Sequence, residues 1–80
     1  MKIQIESTSK LVELETPFGS IPARVWEGKT ESGTPVHCFI TRIAPTIPKD
    51  DHRQEEFVRE LQETRAPSVE IQAIPLRLIL

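Results

Sequence analysis

The stretch from Ile21 to Ile43, I-P-A-R-V-W-E-G-K-T-E-S-G-T-P-V-H-C-F-I-T-R-I, constrains the fold more than any other part of the chain. Apolar residues recur at alternate positions on both sides of a centre made of Gly, Ser and Thr. A period of two places successive side chains on opposite faces, and turn-forming residues between two such runs specify an antiparallel β-hairpin. With Thr30 to Gly33 as a four-residue loop, Lys29 faces Thr34, and Val25 pairs with Cys38, Ala23 with Ile40 and Glu27 with Val36. Ile21, Ala23, Val25, Val36, Cys38 and Ile40 then share one face, expected to form the core under a helix. Arg24, Trp26, His37, Phe39 and Thr41 fall on the other. The sorting holds only in this register, because a slip of one residue moves every side chain of a strand to the opposite face.

On the N-terminal side, Met1 to Glu6 and Lys10 to Thr16 both alternate, the second with Val12 and Leu14 on one side, and read as two short strands separated by Ser7-Thr8-Ser9. Pro17-Phe18-Gly19-Ser20 supplies turn chemistry, so the next strand folds straight back. On the C-terminal side, Pro45 and Pro48 lack the N–H that a central strand needs and end the sheet. Residues 51–65 are strong helix formers. Asp51 and Gln54 have capping-box spacing at the start, and Pro67 forces a stop. Phe57, Val58 and Leu61 form a narrow apolar stripe, while Glu55–Arg59 and Arg59–Glu63 are spaced to pair on the exposed side, each pair contributing roughly 0.2–0.5 kcal/mol. Val69, Ile71 and Ala73 alternate again, and Leu76-Arg77-Leu78-Ile79-Leu80 is almost wholly apolar, as a strand in the sheet or a segment against a second subunit would be.

The fold class expected is a small α+β domain spanning residues 1–80. It has an antiparallel sheet of three to four strands, one helix at about 51–65 packed on one face, and a C-terminal strand. A chain of 80 residues leaves a large share of its apolar surface exposed even when folded, so a homo-oligomer through the sheet face or Leu76–Leu80 is expected. The lone Cys38 excludes an internal disulfide and points to a reducing, cytoplasmic setting. Neither an export signal nor a membrane span is written in the sequence. Ten basic residues against twelve acidic ones give a net charge of −2. The deficit is local: residues 1–47 carry +5 and −5, residues 67–80 carry +1 and −1, and residues 48–66 carry +4 and −6. Without a basic face, duplex nucleic acid is not an expected partner.

The constellation that looks most functional is Arg24, Trp26, His37 and Phe39, a guanidinium among aromatic side chains on the exposed sheet face. Trp and Arg are frequent interface anchors, and exposed aromatic rings also stack on bases. The same residues suit ordinary packing under a loop. His37 and Cys38 are neighbours on a strand and point to opposite faces, which precludes a nucleophile–base dyad. His52 with Glu55 and Glu56 is too sparse to define a metal site. No phosphate-binding loop, nucleophile elbow or zinc spacing occurs, so no enzyme and no cofactor is expected. Glu55, Glu56 and Glu60 belong to an acidic helix face that is either simply solvated or complementary to a basic protein surface.

Ala23 to Ala44, A-R-V-W-E-G-K-T-E-S-G-T-P-V-H-C-F-I-T-R-I-A, and Glu60 to Pro67, E-L-Q-E-T-R-A-P, resemble short uncharacterised proteins encoded by bacteriophages and prophages. The resemblance covers under half of the chain and carries no catalytic motif. It implies action in the cytoplasm of a bacterial host, among small phage proteins that bind and block host machinery. The leading expectation is therefore a non-enzymatic phage accessory protein that binds and inhibits a host protein, with anti-defence inhibition as one form. Two alternatives are a homo-oligomer that binds a nucleotide-like ligand and a structural or assembly component of a virion.

Overall fold

Alternating residues along the N-terminal part of the chain make two long strands, β1 (Ile3–Thr16) and β2 (Gly19–Thr30), joined at Pro17-Phe18. The computed structural model describes residues 1–80. Pro17 fixes the first corner of that turn, and Gly19 at φ +126° occupies a region that side-chain-bearing residues rarely enter. β3 (Pro35–Ile40) follows, then helix α1 (Arg53–Leu61), a single helical turn α2 (Val69–Gln72) and the short strand β4 (Arg77–Ile79). The strand order is β3-β2-β1-β4. β1, β2 and β3 form the expected antiparallel sheet, whereas β4 joins β1 in parallel. The result is a small α+β fold, a curled mixed sheet with one main helix and a C-terminal strand.

The two short N-terminal strands expected from the alternation are one strand, because the polar run between them is absorbed as a bulge. Ser7 pairs with Trp26 and Leu11 with Arg24, so Thr8, Ser9 and Lys10 stand opposite Val25 alone. Extra residues on one strand bend it and increase its twist. Thr8 is fully buried there. Its hydroxyl donates to the Val25 carbonyl at 2.7 Å and accepts the Lys10 N–H at 3.2 Å. The Thr8 carbonyl accepts a bond from Arg24 Nη1 at 2.8 Å. A buried polar group needs such partners, since leaving one unmade costs more than making it contributes.

The β2–β3 register differs by one residue from the expected one. Arg24 pairs with Ile40, Val25 with Phe39, Trp26 with Cys38, Glu27 with His37, Gly28 with Val36 and Lys29 with Pro35. The cause is the loop. Thr30 N–H bonds to the Thr34 carbonyl at 2.9 Å and Gly33 N–H to the Thr30 carbonyl at 3.0 Å, leaving Glu31, Ser32 and Gly33 as the connection. Gly33 has φ +91°, the left-handed residue that closes a three-residue hairpin loop. The slip moves Val36, Cys38 and Ile40 off the core face and brings His37 and Phe39 onto it. Cys38, expected to be buried, is half-buried opposite Trp26.

Val12, Leu14, Ala23, Val25 and Ile71 form the core, with Phe39, Ile74 and Leu78 packed against it. Burying a side chain such as Val25 or Ile71 contributes roughly 1.5–3 kcal/mol. Ile21, expected in this core, remains 43% exposed at the hairpin end. The cover of the core is α2, in a segment expected to be strand. Ser68 caps it, accepting the Ile71 N–H at 3.4 Å, and the helical turn delivers Ile71 onto Val25. Helix α1 is shorter than expected and lies beside the opposite face. Asp51 takes the Arg53 N–H at 2.9 Å and the Arg53 guanidinium at 2.7 Å, while Gln54 reaches the Pro48 carbonyl at 3.3 Å, so no reciprocal capping box forms.

The chain crosses between these two faces around the outer edge of β1. Arg65 N–H bonds to the Ser7 carbonyl at 3.1 Å and Ser9 N–H to the Arg65 carbonyl at 2.9 Å. The Ser7 hydroxyl donates to the Glu63 carbonyl at 2.7 Å. Residues 62–68 are thus a strap clipped to the bulge. The folded chain exposes 6401 Å², whereas a compact monomer of 9.1 kDa exposes roughly 4,900 Å².

Thr8→Val, which keeps the shape but leaves the Val25 carbonyl and Lys10 N–H unpaired, is expected to lower stability to urea by about 1–3 kcal/mol. Thr8→Ser retains the hydroxyl and should lose less. A Thr8→Val loss no larger than that of Thr8→Ser would show that the methyl group, and not the hydrogen bonds, holds the bulge.

Candidate functional site, the Trp26 cleft

Trp26 stands in the middle of β2 on the face that the core does not use, and the pairing sets its neighbours: Ser7 on one side and Cys38 on the other. Arg24 and Ile40 lie one pair along, with Leu11 opposite Arg24. Above this face, the segment after β3 brings Ile43, and α1 brings Phe57 and Leu61. Two adjoining depressions, each of about 560 Å³, share Trp26, Ile43 and Leu61 among their walls. One continues toward Phe57, Glu60, Glu63 and Arg65, and the other toward Leu11, Ile40 and Arg42. Neither is filled: Leu11 remains 55% exposed and Leu61 43%.

The four residues expected to act together are divided between two faces. Arg24 and Trp26 line the cleft. His37 and Phe39 lie on the core side, where their rings meet edge to face at 5.4 Å between centroids and Phe39 packs on the core. A base stacked between all four is therefore not a geometry this sheet offers. Arg24 is partly committed, since its Nη1 holds the Thr8 carbonyl. On α1, Glu60 borders the cleft, and Glu55 and Glu56 sit exposed in the first turn, where the positive end of the helix dipole favours carboxylates. The residues missed in the sequence are Leu11, Ile40, Ile43, Phe57 and Leu61. For Ile40 the signal is the alternation of Val36, Cys38 and Ile40, which joins the Trp26 face once Gly33 is placed at the left-handed position of a three-residue loop.

The strap holds α1 over the cleft, and its anchor is electrostatic. Glu27 Oε2 accepts the Ser68 N–H at 2.8 Å and the Arg65 guanidinium at 3.1 Å, while Arg65 Nε lies 3.4 Å from Glu6. Burial alone opposes charge on Glu27. The Ser68 hydrogen bonds and the Arg65 charge outweigh it and hold the carboxyl below its ordinary value. The Arg53 guanidinium and N–H likewise lower Asp51. No group of three His, Cys, Asp or Glu side chains converges to hold a metal ion. No helix is long and apolar enough to cross a membrane. No protein-family model, curated protein or solved structure matches the chain.

A carboxyl with a depressed folded pKa stabilises the fold above its unfolded value, about 4.3 for Glu, and that contribution is lost as pH falls through the lower folded value. The Ser68 amide, followed by hydrogen exchange, is therefore expected to lose protection as the pH falls below about 4. In Glu27→Gln its protection should be weaker at neutral pH and nearly flat across the same range. An acid limb unchanged in Glu27→Gln would assign the loss to another carboxylate.

Proposed function

We propose that this chain is a non-enzymatic accessory protein, of the kind that bacteriophages and prophages encode, which binds a host protein through the Trp26 cleft and blocks that protein's working surface. The observation that carries this reading is the cleft itself. Apolar side chains from β1, β2, the segment after β3 and α1 converge on Trp26, yet the depression between them stays open and Leu11 and Leu61 remain half exposed. Tryptophan in the middle of an apolar depression is the residue type that most often dominates the energetics of an interface.

The rim says what chemistry the occupant carries. Glu60 and Glu63 border the cleft, and Glu55 and Glu56 extend the same acidic helix toward its first turn, in the one segment of the chain with excess negative charge. An apolar ridge flanked by Lys or Arg on the host protein complements both features, and opposite charge accelerates the encounter. Such a surface is typical of a nucleic-acid-binding protein. Occupying it denies the host protein its own ligand, which is inhibition without catalysis, in the cytoplasm of a bacterial host.

Affinity capture from bacterial lysate, followed by titration of the captured protein once purified, tests the reading. Trp26→Ala is expected to weaken binding by about 30-fold, the size of an interface hot spot. Glu56→Lys with Glu60→Lys should slow association, and the difference from wild type should shrink as salt rises. A captured protein that binds both variants as tightly as wild type removes the cleft from the account.

A further inference from the structure

A second surface, on the far side of the sheet from the β3 edge, carries an inference of its own. β4 is an edge strand: nothing lies beyond it in the order β3-β2-β1-β4. Its link to β1 uses the backbone of its even-numbered residues, with Glu13 N–H bonded to the Leu76 carbonyl at 2.7 Å and Leu80 N–H to the Glu15 carbonyl at 2.9 Å. Backbone groups alternate in direction along a strand, so the N–H and C=O of Arg77 and Ile79 point outward from the sheet. Proteins usually blunt such an edge with proline or charge. β3, the other edge, begins with Pro35. β4 carries only Arg77, which Glu15 meets at 3.5 Å.

The surroundings of β4 are apolar. Leu14 pairs with Ile21 on one side and with Leu78 on the other, and Glu15 pairs with Ile79. Phe18 lies in the turn that ends β1. Phe18 is 99% exposed, Ile79 85%, Leu80 71%, Leu76 66% and Ile21 43%, so five of the eleven large exposed apolar residues gather at this end. The chain exposes 6401 Å², a surplus of about 1,500 Å² over a compact monomer of its mass, and a stable dimer removes roughly 800 Å² from each partner.

We propose that β4 is the seam of a symmetric dimer, in which β4 of a second copy of this chain pairs antiparallel with it about Leu78 and the two four-stranded sheets become one. This register sets Arg77 opposite Ile79 of the second copy, and Ile79 opposite Arg77 of the second copy. Both pairs exchange the backbone bonds that point outward in a single protomer. The contact is the same patch on both copies, as a closed two-fold interface requires. It covers Ile79 with Arg77 of the second copy and Leu80 with Leu76 of the second copy, and each Arg77 meets an apolar side chain instead of a like charge. No residue from Leu76 to Leu80 lines the cleft around Trp26, so this seam and the host-protein interface stand or fall separately.

Light scattering on a sizing column tests the seam with the intact chain. Wild type is expected at about 18 kDa, twice 9.1 kDa. Ile79→Lys places charge on the seam, and Ile79→Pro deletes an outward N–H that the protomer itself does not use. Both should run at 9.1 kDa with the far-UV circular dichroism of wild type. Trp26→Ala should remain a dimer. If Ile79→Pro loses its circular dichroism, Ile79→Lys decides alone, since its side chain is exposed and the fold does not depend on it. A wild type that is monomeric up to about 1 mM, a dimer that survives the Ile79 variants, one abolished by Trp26→Ala, or an open series of larger multimers each overturns the proposal.

Discussion

The buried hydroxyl of Thr8 is the point on which the rest of the fold depends. A run of three polar residues in the middle of a long strand has to go somewhere, and two more residues on β1 than on β2 leave a bulge whose backbone groups are out of step with the ladder. Thr8 supplies the missing partners from its own side chain. In doing so it bends β1, which curls the sheet, and it turns the Ser7 carbonyl and Ser9 N–H outward to receive Arg65. The strap at residues 62–68 is therefore positioned by the same irregularity that shapes the sheet. From it follow the placement of α1 beside Trp26 and of α2 over the core.

This arrangement explains how a chain with so few buried side chains keeps a defined shape. Val12, Leu14, Ala23, Val25 and Ile71 cannot supply a large hydrophobic term, and the crossing strap adds directional contacts where the core is thin. Gly28 serves the same end, because a Cβ there would overlap the Gln4 carbonyl and force β1 and β2 apart. What the core does not use is left on the surface in two places. One is the cleft around Trp26, and the other is the edge made by β4 with the turn at Phe18. Each combines apolar side chains with an unmet geometric capacity, an open depression in the first and outward backbone groups in the second.

Much of this was legible in the residues. The α+β class, the main helix, the turn at Pro17-Phe18, the shared side of Val12 and Leu14, the core positions Ala23 and Val25, and the C-terminal strand all follow from periodicity and from proline and glycine. The register of β2 with β3 did not, because a four-residue loop sorted the apolar residues more cleanly than the true three-residue loop does. Apolar alternation on β3 is ambiguous when both faces of a sheet carry apolar side chains: Phe39 serves the core while Ile40 lines the cleft. The division of Arg24 and Trp26 from His37 and Phe39 is the direct consequence. Val69 to Ala73 misled in another way, since five residues fit a strand as well as a helical turn, and Ser68 as a cap was the deciding signal. Parallel pairing of β4 could not be read at all, because it depends on the strap, a contact between distant residues.

The account is tested most directly by native-state hydrogen exchange at Ser9 and Arg65, whose amides join the bulge to the strap. If the Thr8 bulge binds the sheet and the C-terminal segment into one unit, these amides should open with the same free energy and the same denaturant dependence as the protected amides of β2. Exchange of Ser9 and Arg65 by a fast local opening, with β2 still protected, would contradict it and leave the strap a loose appendage on an independently folded hairpin.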